Sequence, residues 1–351
     1  MFLRNFWYVA AWPSEIGEKP LARTICGEEI AFYRTADGKV VALEDRCCHR
    51  NLPLTMGKVE GNNLRCGYHG LLFDTSGQCV EVPGQSQIPP GARVKSYPLV
   101  EKWKLLWIWM GDPAKADEKT IPDWFYMDHP DWVAAHGNDE KPLPMACNWE
   151  LNNDNLLDLS HVIYVHSSTL GGAQLDRFPV HTERRADSVR MARWAPNVPT
   201  PPLFAKYLGA HPNVDRWQIS DIFAPAHCIV DVGFAPAGRY GLNDDRSKAM
   251  GFRPLITATP VTETTSLMFY AQCRNFDIGN EQLTRTMIGD FRGVFFEDIA
   301  VMEAQQRVNS AHGEANKIDI NADAPHIAMR QLIRRLAAVE AGGNVRATAA
   351  E

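Results

Sequence analysis

The chain lacks any run of about eighteen apolar residues that could cross a bilayer as a helix. It also lacks a basic excess: 36 Lys and Arg stand against 42 Asp and Glu, a formal net charge of −6. That balance argues against nucleic acid or an anionic membrane surface as the main partner. The N-terminal stretch Met1-Phe2-Leu3-Arg4-Asn5-Phe6-Trp7-Tyr8 has no long apolar segment followed by a small-residue cleavage site. A signal peptide is therefore not expected, and the cytoplasm is the expected location. There is no G-x-G-x-x-G fingerprint, so no dinucleotide site is expected, and no internal repeat. Eight cysteines, at 26, 47, 48, 66, 79, 147, 228 and 273, do not suggest a disulfide framework in a chain without a secretion signal. Most read as buried thiols. Histidines join them at short spacing in one place only.

What is present is ordinary soluble-protein material. The 45% apolar and 22% charged content supports a globular core, and 351 residues exceed what one core usually serves, so two domains are expected. Residues 1–112 read as β-rich, with apolar runs Val40-Val41-Ala42-Leu43, Leu71-Leu72-Phe73 and Leu105-Leu106-Trp107-Ile108-Trp109 separated by Gly-containing turns. Residues 113–145, rich in Pro, Asp, Lys and Trp, read as a connecting segment. Residues 146–340 form the second domain, and the Ala-rich stretch 341–351 reads as a flexible tail. Strands are expected at 217–223, 227–234, 255–259 and 266–272, a helix starting near 152, and long helices at 281–309 and 327–341. Periodicity alone gives a two-domain α+β fold.

Cys47-Cys48-His49 is followed sixteen residues later by Cys66-Gly67-Tyr68-His69. Each of these two clips offers one sulfur and one nitrogen. Two thiolates on one iron and two neutral imidazoles on the other make a Rieske 2Fe–2S centre, with Cys47, His49, Cys66 and His69 as ligands. A Cys2His2 zinc site is the rival, but zinc clips space their paired ligands by about two to four residues, and the gap in Cys47-x-His49 is shorter.

A second constellation lies in Asn155-Leu156-Leu157-Asp158-Leu159-Ser160-His161-Val162-Ile163-Tyr164-Val165-His166. Asp158 and His161 would share a helical face. His166 is roughly 140° further round a regular helix, so the helix must end or bulge for both histidines to meet one metal. In the last long helix, Phe291, Val294, Phe295, Ile299 and Met302 form an apolar stripe with Asp298 in its middle, and Glu297 lies about 100° round, toward the polar edge. A carboxylate in such a stripe needs a partner, either a metal or a buried ion pair. With His161 and His166 it would complete the 2-His-1-carboxylate triad of non-haem Fe(II) oxygenases.

The stretches Cys47-Cys48-His49-Arg50-Asn51-Leu52-Pro53-Leu54 and Cys66-Gly67-Tyr68-His69-Gly70 resemble the Rieske loops of ring-hydroxylating and demethylating oxygenases, usually C-P-H-R-x-x-P-L and C-P-Y-H-G. Cys48 stands where that family usually has Pro, and Asn51 where Gly is frequent; neither is a ligand there. The segment from Asp154 to His166 resembles the catalytic segment of the same family, with the vanillate and dicamba O-demethylases most alike. Asn5-x-Trp7-Tyr8-Val9-Ala10, Asp215-Arg216-Trp217-Gln218-Ile219, Arg274-Asn275-Phe276 and Glu297-Asp298-x3-Met302-Glu303-x-Gln305-Gln306-Arg307 extend the resemblance from residue 5 to about 335.

The resemblance implies an N-terminal Rieske β-domain and a catalytic domain whose antiparallel sheet is wrapped by helices. It implies mononuclear iron bound by His161, His166 and Asp298, with Asn155 beside the metal. Asp158 would bridge the cluster of one subunit to the iron of its neighbour in a homotrimer. Electrons would come from NAD(P)H through a separate flavin- and ferredoxin-type reductase. The implied reaction is dioxygen-dependent O-demethylation of a methoxylated aromatic acid such as vanillate. A cis-diol-forming dioxygenase, a hydroxylase of another aromatic methyl group and a Rieske electron carrier without catalysis are the alternatives. For substrate contacts, Asp231, His227 and Arg253 are the candidates, Asp231 because it is polar amid the apolar run Ile229-Val230-Asp231-Val232-Gly233.

Metal analysis of anaerobically purified protein should find about three irons per chain, two in the cluster and one mononuclear. Cys26, Cys79, Cys147, Cys228 and Cys273 should each tolerate Ser with the Rieske electron paramagnetic resonance signal intact, whereas Cys47→Ser and Cys66→Ser should abolish it. Zinc in place of iron would refute the cluster assignment.

Overall fold

The computed structural model describes residues 1–136, 141–171, 175–208, 212–241, 244–313 and 317–342. The expected flexible tail lies outside the described residues from 343 onward. Among the described residues no helix is long and apolar enough to cross a membrane. The chain divides into two compact units, Met1–Ile121 with Thr259–Glu263, and Pro122–Ala258 with Thr264–Glu351.

The first unit is made of short antiparallel strands, as its short apolar runs dictate. Trp7–Ala11, Leu105–Trp109 and Leu99–Lys102 form one sheet; Leu21–Ile25, Glu28–Arg34 and Val40–Glu44 form another. Lys58–Glu60, Asn63–Arg65, Leu72–Phe73 and Cys79–Glu81 form a third, from which the second Cys–His clip projects as the turn between Arg65 and Leu72. One core gathers Tyr8, Ile25, Phe32 and Ile108; a second contains Cys47, Leu54, Leu64, Cys66 and Phe73, so both clip cysteines are anchored in packed apolar surroundings. Residues Thr259–Glu263 reach this unit from far along the sequence. The Cys26 and Gly27 N–H groups donate to the Pro260 and Val261 carbonyls at 2.8 and 2.9 Å, and Thr259 Oγ1 donates to the Val9 carbonyl at 2.6 Å.

The second unit is an eight-stranded antiparallel sheet with helices α1 (Trp149–Leu156), α2 (Pro202–Leu208), α3 (Glu281–His312) and α4 (Ala324–Glu340). The strand order is Val133–His136, Thr265–Arg274, Met250–Thr262, His227–Pro236, Asn213–Phe223, Ser188–Pro199, Val180–Arg184, with Leu143–Met145 also paired to Thr265–Arg274. Residues 113–145, expected as a connection, thus contribute two short strands to this sheet. The hairpin of Val180–Arg184 and Ser188–Pro199 had no expected counterpart. Its edge strand reads Val-His-Thr-Glu-Arg and is largely exposed, so it carries no apolar alternation to detect.

Alternation along the strands sorts side chains onto two faces. Arg216, Gln218, Ser220, Val230, Val232, Phe252 and Ile256 look one way, into a cavity closed by α3. Trp217, Ile219, Asp231 and Arg253 look the other. There Trp217 lies flat over Gly233, where an added Cβ would fall 1.8 Å from the indole. Trp217 Nε1 donates to Asp231 Oδ1 at 2.6 Å, which fixes the ring in that place. Gly233→Ala should therefore cost about 1–3 kcal/mol through overpacking, read as a lowered midpoint in denaturant; an unchanged midpoint would show that Trp217 can move aside.

Candidate metal centres and active-site cavity

The two Cys–His clips have the same backbone form. The Cys47 N–H donates to Leu52 C=O at 2.9 Å and the Asn51 N–H returns to Cys47 C=O at 2.9 Å; Cys66 N–H to Leu71 C=O at 2.8 Å and Gly70 N–H to Cys66 C=O at 3.2 Å repeat the pattern. The residue four beyond each cysteine is left-handed, Asn51 at φ 57° and Gly70 at φ 76°. Asn is among the few non-glycine residues that tolerate this region, so Asn51 does the conformational task of the frequent Gly. The first clip is tied down by Asp45, which accepts from Thr55 N–H and Oγ1 at 2.8 and 2.7 Å. The second is tied by Arg65, which donates to Gly70 C=O at 2.6 Å and pairs with Glu60 and Glu81.

Cys47 and Cys66 are buried, while His49 and His69 are exposed with ring centroids 4.5 Å apart. Tyr68 stacks on His69 at 3.8 Å. Burial, with Cys66 alongside, pushes the Cys47 thiol up to about 11. Thiolates form in such a place only against a metal cation. An inner pair of sulfurs and an outer pair of imidazoles fits the donor set of a Rieske cluster. Cys48 is exposed.

In the second unit α1 is short. Asn148 caps its start, accepting from Glu150 N–H at 2.8 Å, and it ends at Leu156. The expected break therefore comes before both histidines: Asp158 Oδ1 accepts from Ser160 N–H at 2.6 Å, and residues 161–163 form a single 3-10 turn. His161, His166 and Asp298 converge, with one potential ligand atom from each lying within 4.8 Å of the others. Asp298 Oδ1 is 3.5 Å from His161 Nε2 and 3.0 Å from His166 Nε2, and it accepts from Asn155 Nδ2 at 3.0 Å. Burial favours the neutral acid, yet the two histidines bring Asp298 down to about 2. Burial lowers His161, but Asp158 and Asp298 outweigh it and lift the imidazole to about 9. Asp158 Oδ2 stands 3.6 Å from His161 Nδ1, close enough to act on its charge but longer than a formed hydrogen bond.

Glu297 is where the sequence reading needs correction. It does not stand apart at a polar edge: its Oε2 is 2.6 Å from His166 Nδ1 and accepts from Thr169 Oγ1 at 3.1 Å. A carboxylate at that place accepts from His166 Nδ1 and so turns the ring with Nε2 toward Asp298. Glu303 and Gln306, further along α3, accept from the N–H groups of Ala146 and Asn148 at 2.8 and 2.9 Å. These bonds set the start of α1 against α3, and so Asn155 against Asp298.

The convergent trio lines a cavity whose walls are otherwise mostly Val, Leu and Phe, among them Val230, Val232, Phe252, Phe291 and Phe295. The three residues expected to touch substrate do not line it. Asp231 lies on the far face of the sheet, accepting from Trp217 and paired with Arg253 at 2.7 Å, because Val230 and Val232 take the inward positions on its strand. His227 is buried against Thr257, Nδ1 to Oγ1 2.8 Å. The polar side chains of the sheet wall are instead Arg216, Gln218 and Ser220.

A Rieske-type unit followed by a unit with a 2-His-1-carboxylate cluster in an apolar cavity defines the terminal component of a Rieske non-haem iron oxygenase, a class that uses one 2Fe–2S cluster and one mononuclear iron. Residues 6–98 match the Rieske [2Fe-2S] domain, and residues 145–339 match the vanillate O-demethylase oxygenase C-terminal domain. The chain is 41% identical to the iron-sulfur subunit of the toluene-4-sulfonate monooxygenase system of Comamonas testosteroni, covering 98% of this chain and 99% of that one. It is 37% identical to a vanillate O-demethylase oxygenase subunit from a Pseudomonas species, covering 97% and 96%. A crystal structure of dicamba monooxygenase with non-haem iron and dicamba superposes with a TM-score of 0.81 at 33% identity, covering 97% and 99%. The chain belongs to the Rieske non-haem iron oxygenases, in the family of oxygenase components of O-demethylase-type systems.

Glu297→Ala should weaken iron binding about 10- to 100-fold by freeing the His166 ring, with Glu297→Gln intermediate and the cluster spectrum unchanged in both. Iron titration of apoprotein measures this; wild-type affinity in Glu297→Ala would mean that packing alone orients His166.

Proposed function

We propose that the chain O-demethylates a methoxylated aromatic acid, with vanillate the first candidate. The observation that carries this reading is the His161–His166–Asp298 cluster lining a largely apolar cavity, with Phe204, Phe252, Phe291 and Phe295 in its walls to pack against an aromatic ring. In it Cys47 and Cys66 hold one cluster iron, His49 and His69 the other, and His161, His166 and Asp298 the mononuclear iron. Bound at these sites, the metals supply electron delivery and dioxygen activation.

The chain's own residues do the rest. Asn155 donates to Asp298 and so steadies its carboxylate, and Glu297 turns the His166 ring with Nε2 toward Asp298. Asp158 orients His161 and, in a homotrimer, would connect it to the neighbouring subunit's cluster. The apolar walls hold the ring and keep water from the reacting carbon. Overall, an aryl methyl ether, dioxygen, two electrons and two protons give a hydroxymethyl ether and water. The hydroxymethyl ether then collapses to a phenol and formaldehyde. The electrons come from cytoplasmic NAD(P)H through a separate flavin- and ferredoxin-type reductase.

Supplied with a reductase of the vanillate demethylase type, NADH and a panel of methoxybenzoates, the protein should release formaldehyde in equal amount to the phenol. A cis-diol without formaldehyde would make it a dioxygenase. A benzyl alcohol from toluene-4-sulfonate, with no formaldehyde from any methoxybenzoate, would make it a methyl hydroxylase.

A further inference from the structure

Arg216 makes fewer hydrogen bonds than Arg193 and Arg274, the other buried arginines among the described residues. It sits in the strand Asn213–Phe223, 2% exposed, with its side chain on the cavity face. A guanidinium has five N–H donors. Among the described residues it makes one contact to an acceptor, Nη1 to the Leu170 carbonyl at 3.1 Å, and Nε has no partner. The group also lies over the Phe234 ring at 5.8 Å. Among the described residues no carboxylate pairs with it; burial, and then the like charge of Arg193, draw its pKa down to about 9, which leaves it cationic at neutral pH. Arg193 and Arg274 each make three hydrogen bonds, Arg193 to Gln218 and the Leu175 carbonyl and Arg274 to Thr284 and the Asp277 and Asn280 carbonyls, although Nε of Arg274 is also without a partner among the described residues. Burying a cation without a counter-charge is costly, and a fold keeps one where a ligand supplies the missing charge.

The wall around Arg216 points the same way. Gln218, two residues on, turns its oxygen to Arg193 (2.7 Å to Nη2), which leaves its amide NH2 as the free end. Ser220 follows in the same row. This side of the cavity thus offers hydrogen-bond donors and no carboxylate, while Val230, Val232 and Phe252 beside it suit a ring. A planar guanidinium with vacant donors matches the paired oxygens of a carboxylate or sulfonate.

We propose that Arg216 is the specificity-determining residue of the cavity, binding the acid group of an aryl carboxylate or aryl sulfonate. This rests on the cavity being the substrate site, and it deepens the demethylase reading by assigning the part of the substrate that does not react.

The test is calorimetric titration of metal-loaded wild type, Arg216→Met and Arg216→Lys with 4-methoxybenzoate, 4-methoxybenzenesulfonate and the uncharged methyl 4-methoxybenzoate. Arg216→Met should weaken binding of the tighter acid about 10- to 100-fold, the range for loss of a charged hydrogen-bond partner, and leave the ester within about twofold. Arg216→Lys should recover part of the loss. Whichever acid binds more tightly identifies the anion. Equal loss for acid and ester would make Arg216 a structural residue, and no loss, or no acid binding by wild type, would overturn the proposal outright. Should Arg216→Met fail to fold, the wild-type preference decides: acid tighter than ester supports the assignment, and ester tighter than acid overturns it. Arg216-dependent acid binding without formaldehyde would remove demethylation and keep Arg216; formaldehyde with Arg216-independent binding would do the reverse.

Discussion

A single buried carboxylate organises the catalytic unit. Asp298 lies among Phe295, Ile299 and Met302 on the inward face of α3, where an ionised group is costly unless donors or cations surround it. Asn155, His161 and His166 supply them, from the last turn of α1 and the turns that follow it. The early end of α1, the turns through residues 158–166 and the bonds from Glu303 and Gln306 to the start of α1 all serve to bring nitrogen atoms to that oxygen. The short reach of those contacts, 3.0–3.5 Å, leaves the donor set small, dense and already gathered for a cation.

The Rieske unit reaches an equivalent result by duplication. Two loops with one hydrogen-bond pattern present a sulfur inward and an imidazole outward, and each needs a left-handed residue at the same step. The family's frequent Gly is a means to that step, and Asn51 is another. The outward imidazoles put the more exposed half of the cluster site at the surface, where an electron can be passed on.

Features encoded by local spacing were legible from the sequence: the two clips, the histidines, and the apolar stripe around Asp298, because ligand gaps and helical periodicity are properties of short segments. Features set by register or parity were not. Asp231 alternates with Val230 and Val232, and nothing within the strand says which face meets the cavity; that is decided by α3 covering one side and by Trp217 and Arg253 lying on the other. The helical angle of Glu297 could not show its contact with His166, which depends on where residue 166 arrives after α1 has ended. Arg216 was visible only as part of a family-like stretch, since a lone arginine in a strand carries no sign of lacking a partner. The exposed strand Val180–Arg184 joins the sheet by its backbone pairing with Ser188–Pro199, which no apolar alternation announces.

The hairpin end Thr259–Glu263 has a consequence for how the protein is made. Its backbone and Thr259 hydroxyl complete hydrogen bonds for Cys26, Gly27 and Val9, yet more than two hundred residues separate it from them in the sequence. During synthesis the N-terminal unit emerges first but waits for those partners until most of the catalytic unit has followed. A fragment cut after Ile121 would have to hold its cluster loops without them. The iron–sulfur unit is therefore the first half of the molecule to leave the ribosome without being the first able to finish folding.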